Sequence, residues 1–365
     1  MTDDQHGPAR AFRFTGTWQD YAPIAFTNLL LTIVTLGIYT FWARARTRRY
    51  LWSRTRFIDD RLEWTGTGLE LFVGYLIAFV LFILPFGIIN LVLQGVLMRG
   101  HQGAAGLMVG LLYLAILYLI GVARFRALRY RLSRTLWHGI RGGSDLQGFG
   151  YGWSYFWKTL LSGITVYLMT PWAMARLWNE RWNAMSFGSL PFRSDARWQP
   201  VFGRFLLFYL LPVVIVVGLG GLFAVISGTG VFAKPDATPT PAMIVTFALV
   251  GIGFYVFFFG ILGLVAMIYY SAFFREAVGA TSLGRLEFGF GASTRDWILL
   301  YLGNLALTVF TFGIGSIFVP YRNWAFFIRH LAAYGEIEVD TLLQSRTREP
   351  GQGEGLLDAF DVGAF

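Results

Sequence analysis

Two groups of arginines are the residues of this chain with the clearest capacity for chemistry. Each group follows an uncharged apolar run, and its guanidinium groups could bind the phosphates of anionic lipid headgroups through paired hydrogen bonds. The alternative interpretation is that these cations only keep their segments on the cytoplasmic side and have no specific ligand. The candidate lipid contacts are Arg44, Arg46, Arg48, Arg49, Arg54, Arg124, Arg126, Arg129, Arg131 and Arg134.

A second set of candidates consists of the polar side chains Asn28, Asn90, Gln94 and Asn304, which lie inside apolar runs. Such amides could line a polar path for a small solute, which would favour a passive transporter or channel. Alternatively, they hydrogen-bond to neighbouring helices or to their own backbone. The apolar runs contain no ionisable side chain, and this argues against a proton-driven pump.

Catalytic and metal-binding patterns are absent from the sequence. The chain has no cysteine, its four histidines are isolated, and neither HExxH nor GxxxxGK[ST] occurs. We therefore expect no enzymatic activity, no metal and no cofactor. The net charge of +9 does not predict a nucleic-acid partner, because the basic residues stand at the ends of apolar runs.

The composition of the elements that must position these residues is that of a polytopic membrane protein. Of 365 residues, 55% are hydrophobic and only 14% are charged, whereas about a quarter are charged in a soluble globular protein. The second apolar run contains Pro85, which is expected to kink it. Seven runs can enter or cross a bilayer: residues 21–43, 71–98, 107–123, 159–175, 205–233, 242–274 and 297–321.

Parts of the sequence recur. Residues 123–135 match 43–55 at eight of thirteen positions, and residues 288–322 match 12–46 at eleven of thirty-five. Short alternating segments at 12–17, 62–67 and 285–291 predict strands. We predict an all-α bundle with short cytoplasmic strands, divided into a polar tail (1–11), membrane repeat 1 (12–135), membrane repeat 2 (136–280), a half repeat 3 (281–340) and a disordered tail (341–365).

The arginines also bear on topology. Seven full crossings would place eight arginines outside, against the tendency of cationic loops to remain in the cytoplasm. If runs one, four and seven instead enter and leave on one side, the N-terminus and the arginine-rich segments are all cytoplasmic. Gly37 and Gly313, each in a Thr-x-Gly-Ile sequence, could supply the turns, although they could equally permit close helix packing.

The sequence resembles the YjgN family of bacterial inner-membrane proteins. The resemblance rests on FxFxG from Phe12, NLLLTIVTLGIYTFWARARTRRY at 28–50 and LEWTGTGLELFVGY at 62–75, and it extends from Phe12 to Asp340. It implies a multi-pass bacterial inner-membrane protein, and it hints at a membrane-linked zinc peptidase as a partner. No established activity or site residue comes with it.

These observations predict an integral inner-membrane protein that is not an enzyme and that organises lipids, chiefly anionic ones, or a partner protein. The alternative is a passive transporter or channel. A continuous polar cavity lined by Asn28, Asn90 or Asn304 would favour transport, and a sealed apolar interior would favour the organising role.

Overall fold

The computed structural model describes residues 11–80, 84–228, 240–335 and 343–348, in which pairs of helices alternate with short strands. Most of the two predicted tails lies outside these residues. The helices are α1 (Trp18–Val34), α2 (Thr40–Ser53), α3 (Gly68–Ala78), α4 (Leu84–Met98), α5 (Gln102–Arg134), α6 (Phe149–Ile164), α7 (Thr170–Asn183), α8 (Gln199–Phe205), α9 (Leu211–Gly228), α10 (Pro241–Gly279), α11 (Thr294–Phe310) and α12 (Val319–His330).

The prediction of an all-α fold is wrong, because the short strands pair into two antiparallel sheets. One sheet has the order β1-β2-β3, and the other has eight strands in the order β11-β10-β9-β8-β7-β6-β5-β4. The strands are β1 (Phe12–Phe14), β2 (Thr55–Phe57), β3 (Asp60–Arg61), β4 (Glu63–Trp64), β5 (Thr135–Trp137), β6 (Ile140–Gly143), β7 (Ser186–Phe187), β8 (Leu190–Ser194), β9 (Thr281–Leu283), β10 (Leu286–Phe290) and β11 (Leu331–Tyr334).

Strands of both sheets line one core, and we call all the strands together the strand ring. Only Leu62 separates β3 from β4, and β1 lies beside β11. The Phe12 ring of β1 is 6.5 Å from the Phe288 ring of β10. The core contains Trp137 and Phe57, whose ring centroids are 4.8 Å apart. The ring is therefore the point at which the ends of most helices meet, and its apolar interior stabilises the sheets.

Tight turns make such short strands possible. His138 and Gly139 join β5 to β6, and both have positive φ, 51° and 71°, as the commonest two-residue hairpin turn requires. Gly188 and Gly284 also have positive φ in the β7–β8 and β9–β10 turns. Turns of this kind reverse the chain at once, so strands of two to five residues can pair.

Three pairs of helices turn back on themselves, and we call them hairpins. Hairpin 1 is α1–α2, hairpin 2 is α6–α7, and hairpin 3 is α11–α12 with the intervening 3-10 turn Ile314–Phe318. Hence apolar runs one, four and seven each return toward the strand ring. This is the same-side geometry that the distribution of arginines favours.

Three of the remaining helical segments are long enough to cross a bilayer. Among the described residues, 102–134, 199–228 and 241–279 combine the length and hydropathy of a membrane span, and the apolar helices α3 and α4 are shorter. Helix α3 ends at Ala78, and α4 begins at Leu84 with Pro85 in its first turn. The kink at Pro85 stays a prediction. Helices α4–α5 and α9–α10 pack in pairs.

Side-chain caps fix where the first helix of two hairpins begins. The Thr17 hydroxyl accepts a bond from the backbone N–H of Asp20, 3.2 Å away. At hairpin 3, Ser293 and Asp296 form a reciprocal capping box. Hairpin 2 begins instead at Gly148, which is left-handed and offers no side-chain cap.

Candidate functional site

The tips of the three hairpins share one backbone geometry. After α1, the N–H of Gly37 donates to Thr32 O (2.8 Å) and that of Leu36 donates to Ile33 O (3.1 Å), which is a Schellman motif. The same pair of bonds ends α6 and α11. Glycine usually occupies the left-handed position of this motif. In the three hairpins this position is occupied instead by Leu36, Val166 and Phe312, with φ of 51–52°.

These left-handed residues are large, apolar and exposed. Leu36 is 94% exposed and Phe312 98%, and Val166 is 70% exposed. A threonine stabilises each tip: the Thr35 hydroxyl donates to Leu31 O (2.7 Å) and accepts from the N–H of Tyr39 (2.9 Å). Thr165 and Thr311 make the equivalent bonds. Each hairpin therefore presents apolar side chains at a rigid, hydrogen-bonded turn.

A polar cross-link joins the two helices of each hairpin eight residues before its left-handed residue. In hairpin 1, Asn28 Nδ2 donates to Ala43 O (3.2 Å) and to Thr47 Oγ1 (3.3 Å). In hairpin 3, Asn304 Nδ2 donates to Asn323 Oδ1 (2.8 Å). Asn28 and Asn304 thus hold hairpins together, and the other two predicted amides do not join them.

The other two amides lie apart on α4. Asn90 donates to Phe86 O of its own helix (2.8 Å), and Gln94 is exposed. The four predicted amides therefore do not line one path through the described residues.

Hairpin 2 carries a charged cross-link that the sequence analysis missed. Lys158 stands eight residues before Val166, its Nζ lies 2.7 Å from Glu180 Oε1, and it also contacts the Ser154 hydroxyl. The Lys158 side chain is 15% exposed. The predicted fourth apolar run begins at Thr159, whereas α6 begins ten residues earlier, at Phe149. Lys158 is the counterpart of Asn28 when hairpin 2 is aligned with hairpin 1 at an offset of 130 residues, and this alignment identifies the position.

One arginine follows each left-handed residue by ten positions, on the returning helix. Arg46 and Arg176 are exposed, and Arg322 is half-buried. The Nε of Arg322 donates to Asn304 Oδ1 at 2.7 Å, so the arginine and the polar cross-link lie at the same level of the hairpin. An apolar tip about 12 Å long, eight residues at 1.5 Å each, therefore ends at a cationic level in all three hairpins.

Most of the predicted lipid-contacting arginines lie against the protein itself. Arg48 stacks 5.1 Å above Trp64, and Arg129 is fully buried, with Nη1 donating to Leu146 O (3.2 Å). Arg126, Arg124 and Arg54 each stack on an aromatic ring. Arg134 pairs with Glu70 at 3.1 Å.

The remaining arginines of the predicted set differ in exposure. Arg46 and Arg49 are exposed, whereas Arg44 and Arg131 are half-buried. Of the predicted set on α2, Arg46 and Arg49 are therefore the most exposed. Lipid contact of the whole set remains a prediction.

Part of the predicted C-terminal tail also engages these cations. Arg129 Nη2 donates to Arg348 O at 3.3 Å, and Gln344 Nε2 donates to Gly139 O at 2.9 Å. Ser345 is buried. Residues 343–348 therefore lie across the β5–β6 turn.

Arg181 is a further buried cation that the sequence analysis missed. It is 7% exposed and stacks 5.7 Å from the Trp178 ring. Burial is the main cause that lowers the pKa of Arg181, and the nearby cations Arg124 and Arg131 lower it further. The guanidinium remains charged at neutral pH, because its ordinary pKa is so high.

An open cleft of about 420 Å³ lies beside hairpin 2. Arg176 lines it from α7. Arg197 and Trp198 line it from the connection between β8 and α8, and Gln199 lines it as the first residue of the span at 199–228. Asp195 contributes one carboxylate. A second, more open depression of about 580 Å³ adjoins it and shares Asp195.

Among the described residues, no group of three histidine, aspartate or glutamate side chains is arranged to hold a metal ion. His138 instead bonds Asp59 at 3.0 Å. This bond is the main cause that lowers the pKa of the Asp59 carboxyl.

Comparison with known proteins gives a family but no activity. Residues 9–359 match the family described as "Bacterial protein of unknown function (DUF898)". The inner membrane protein YjgN of Salmonella typhimurium strain LT2 is 29% identical over 156 residues, which are 43% of this chain and 36% of that protein. The inner membrane protein YjgN of Escherichia coli K12 is 31% identical over 157 residues, with the same coverage. The aligned part is thus little more than a third of each relative's length, and no solved structure matches.

Proposed function

The chain belongs to the DUF898 family of bacterial proteins of unknown function, and from this premise we propose that it is a non-enzymatic inner-membrane protein that organises phospholipid around its hairpins. The relatives are named inner membrane proteins, and three described helices have the length and hydropathy of membrane spans. We assign the strand ring and the arginine-rich segments to the cytoplasmic side, as the preference of cationic segments for the cytoplasm suggests.

The hairpin tips carry the proposal. Their apolar length from the polar cross-link to the left-handed residue is about 12 Å, and half the hydrocarbon core of a bilayer is about 15 Å. A hairpin whose cationic level lies among the headgroups would therefore reach close to the midplane and displace lipid from one leaflet only. Leu36 and Phe312 are exposed. In water, each such side chain would forgo roughly 1.5–3 kcal/mol of the free energy that burial of a large apolar side chain provides.

Charge supports the choice of lipid. Arg46 and Arg49 are exposed on α2, the helix that returns from the tip of hairpin 1. A basic residue near an acidic leaflet contributes about 1 kcal/mol of attraction, and guanidinium groups hydrogen-bond phosphate oxygens in pairs. Acidic phospholipid should therefore be enriched in the first lipid layer around the hairpins.

The test is the lipid selectivity of the protein in reconstituted bilayers. Electron spin resonance of spin-labelled phosphatidylglycerol and phosphatidylcholine measures the fraction of each lipid that the protein immobilises. We expect a preference for phosphatidylglycerol, and we expect R46Q/R49Q to reduce it. The control R56Q/R61Q removes two exposed arginines from β2 and β3 and should leave the preference unchanged. Equal immobilisation of the two lipids by the wild-type protein would contradict the proposal.

A further inference from the structure

The cleft beside hairpin 2 has the chemistry of a binding site for a phosphate group. Its two arginine side chains, Arg176 and Arg197, come from different elements, α7 and the β8–α8 connection, so they converge on one space of about 420 Å³. Among the described residues, neither guanidinium forms an ion pair within 4 Å or a side-chain hydrogen bond. Most other arginines near the hairpins stack on rings or bond to carbonyls, so this pair stands out as available.

The rest of the lining fits a lipid headgroup. Trp198 offers an amphipathic ring, as is usual at the level of headgroups, and Gln199 offers an amide donor. The apolar residues Ala175 and Pro200 complete the wall. The cleft also stands at the first residues of the segment 199–228, which has the hydropathy of a membrane span. A phospholipid bound there by its phosphate could lay its acyl chains along that span.

The buried framework around the cleft is rigid. Asn179 lines the cleft, and both polar atoms of its side chain form hydrogen bonds. Nδ2 donates to Ala196 O (3.0 Å), and Oδ1 accepts from Ser194 Oγ (2.9 Å) and from the N–H of Ala196 (2.8 Å). The N–H of Arg197 donates to Glu276 Oε1 at 3.1 Å. The connection that carries Arg197 is therefore fixed to both α7 and α10, and the site is formed before any ligand arrives.

We propose that this cleft binds the phosphate of one anionic phospholipid through Arg176 and Arg197. The inference rests on the proposed function, because it places a specific lipid at one hairpin. Asp195 lies on the same cleft and opposes a bound anion, so it limits affinity. The site is then a moderate one, suited to exchange of lipid with the surrounding bilayer.

The experiment measures binding of short-chain dioctanoyl phosphatidylglycerol to the full-length protein in a neutral detergent. We expect saturable binding that R176Q/R197Q weakens at least tenfold and that R56Q/R61Q, with the same loss of charge, leaves unchanged. D195N should tighten binding severalfold, a gain that partial unfolding cannot produce. Size-exclusion chromatography and thermal melting show whether each variant is folded.

Two further ligands distinguish the source of the phosphate. Dioctanoyl phosphatidylcholine should bind more weakly, and inorganic phosphate should not displace the bound lipid at millimolar concentration. Efficient displacement by inorganic phosphate would overturn the lipid assignment, and equal binding by the wild-type protein and R176Q/R197Q would overturn the site. Neither result depends on the spin-label selectivity of R46Q/R49Q, so failure of the site and failure of the proposed function can be told apart.

Discussion

Hairpins 1 and 2 share the same helix-pair architecture, but they differ in how closely the following helix packs against the returning helix at the base, the end of the hairpin away from its tip. At hairpin 1 the next helix packs directly on the returning one: a Cβ added at Gly68 of α3 would lie 2.6 Å from Trp42 Cα of α2. At hairpin 2, α8 packs on α7 through Val201 and Phe205, but a cleft lined by Arg176 and Arg197 opens beside the first residues of α8.

The difference lies in the connection that follows the strands. Between β4 and α3 stand three small residues, Thr65, Gly66 and Thr67, and their size allows contact. Between β8 and α8 stand four, including the larger Arg197 and Trp198, and the cleft remains open beside them. Arg46, the equivalent of Arg176, is exposed, and Arg48, two residues further on, stacks on Trp64. The two hairpins thus differ in the space that this connection leaves beside the returning helix.

The largest effect should come from filling the close contact at hairpin 1. G68A places a methyl group against the backbone of Trp42, which cannot move easily, and should destabilise the protein by about 2 kcal/mol or more. The matched control is G203A at the base of hairpin 2, where an added Cβ meets nothing within 4 Å. That change should be neutral or stabilising by up to about 1 kcal/mol. Thermal unfolding in detergent compares the two, and equal loss in both would contradict the contrast.

A smaller loss is expected where an indole meets a strand. Trp178 Nε1 of hairpin 2 donates to Thr281 Oγ1 (3.1 Å), which in turn donates to Ser194 Oγ. Trp52 Nε1 of hairpin 1 donates to Thr135 Oγ1 (2.9 Å). T281V removes the bonds to Trp178, Ser194 and Ala277 O and should cost about 2 kcal/mol, and T135V removes only those to Trp52 and Arg131 O and should cost about 1 kcal/mol. The order of the two melting temperatures checks this, and the reverse order would show that the Thr281 network does not stabilise the base of hairpin 2.

The amide cross-links should differ in the same way. N304L deprives both Arg322 Nε and Asn323 of a partner and should cost roughly 1–2 kcal/mol. N28L removes two longer bonds, of 3.2 and 3.3 Å, while Asn28 Oδ1 is already buried without a partner, so its cost should stay below about 1 kcal/mol. Denaturant midpoints of the two variants give the comparison. A larger loss for N28L would contradict the assignment of the bonds.

The smallest effect should be a pH dependence that arises at the start of hairpin 3. The Ser293 hydroxyl is the main cause that lowers the pKa of Asp296 in the folded protein. A folded pKa below the unfolded value gives stability that is present above about pH 4 and is lost as the pH falls through the lowered folded value. S293A should reduce the fall in melting temperature that the wild-type protein shows between pH 6 and pH 3. An unchanged fall in melting temperature would mean that other carboxylates cause the acid dependence.

The sequence reveals the helical hairpins and part of the site for a physical reason. Long uncharged runs and the paired Thr-x-Gly-Ile segments mark runs one and seven directly, and the matched Asn28 and Asn304 mark their cross-links. The segments at 12–17, 62–67 and 285–291 contain β1, β4 and β10. Local signals of this kind suffice when an element has its own period or repeats a neighbour's residues.

The remaining features depend on contacts between distant segments. Strand β7 has two residues, too few to show alternation, and its pairing with β6 joins Ser186 to the distant Gly143. Arg176 and Arg197 face one cleft only because the β8–α8 connection curves over α7. No spacing in the sequence encodes that meeting, and the same holds for the buried Arg129.

Single-cysteine labelling tests the central claim most directly, since the natural chain has no cysteine. Gln19 and Asp59 flank hairpin 1 and are exposed, and His101 lies in the exposed turn between α4 and α5. Hairpins that enter and leave one leaflet predict that cysteines at 19 and 59 react with an impermeant maleimide only from the cytoplasmic side. They also predict that position 101 reacts only from outside and that position 36 reacts from neither. Reaction of 19 and 59 from opposite sides would show that the first apolar run crosses the membrane and would contradict the account.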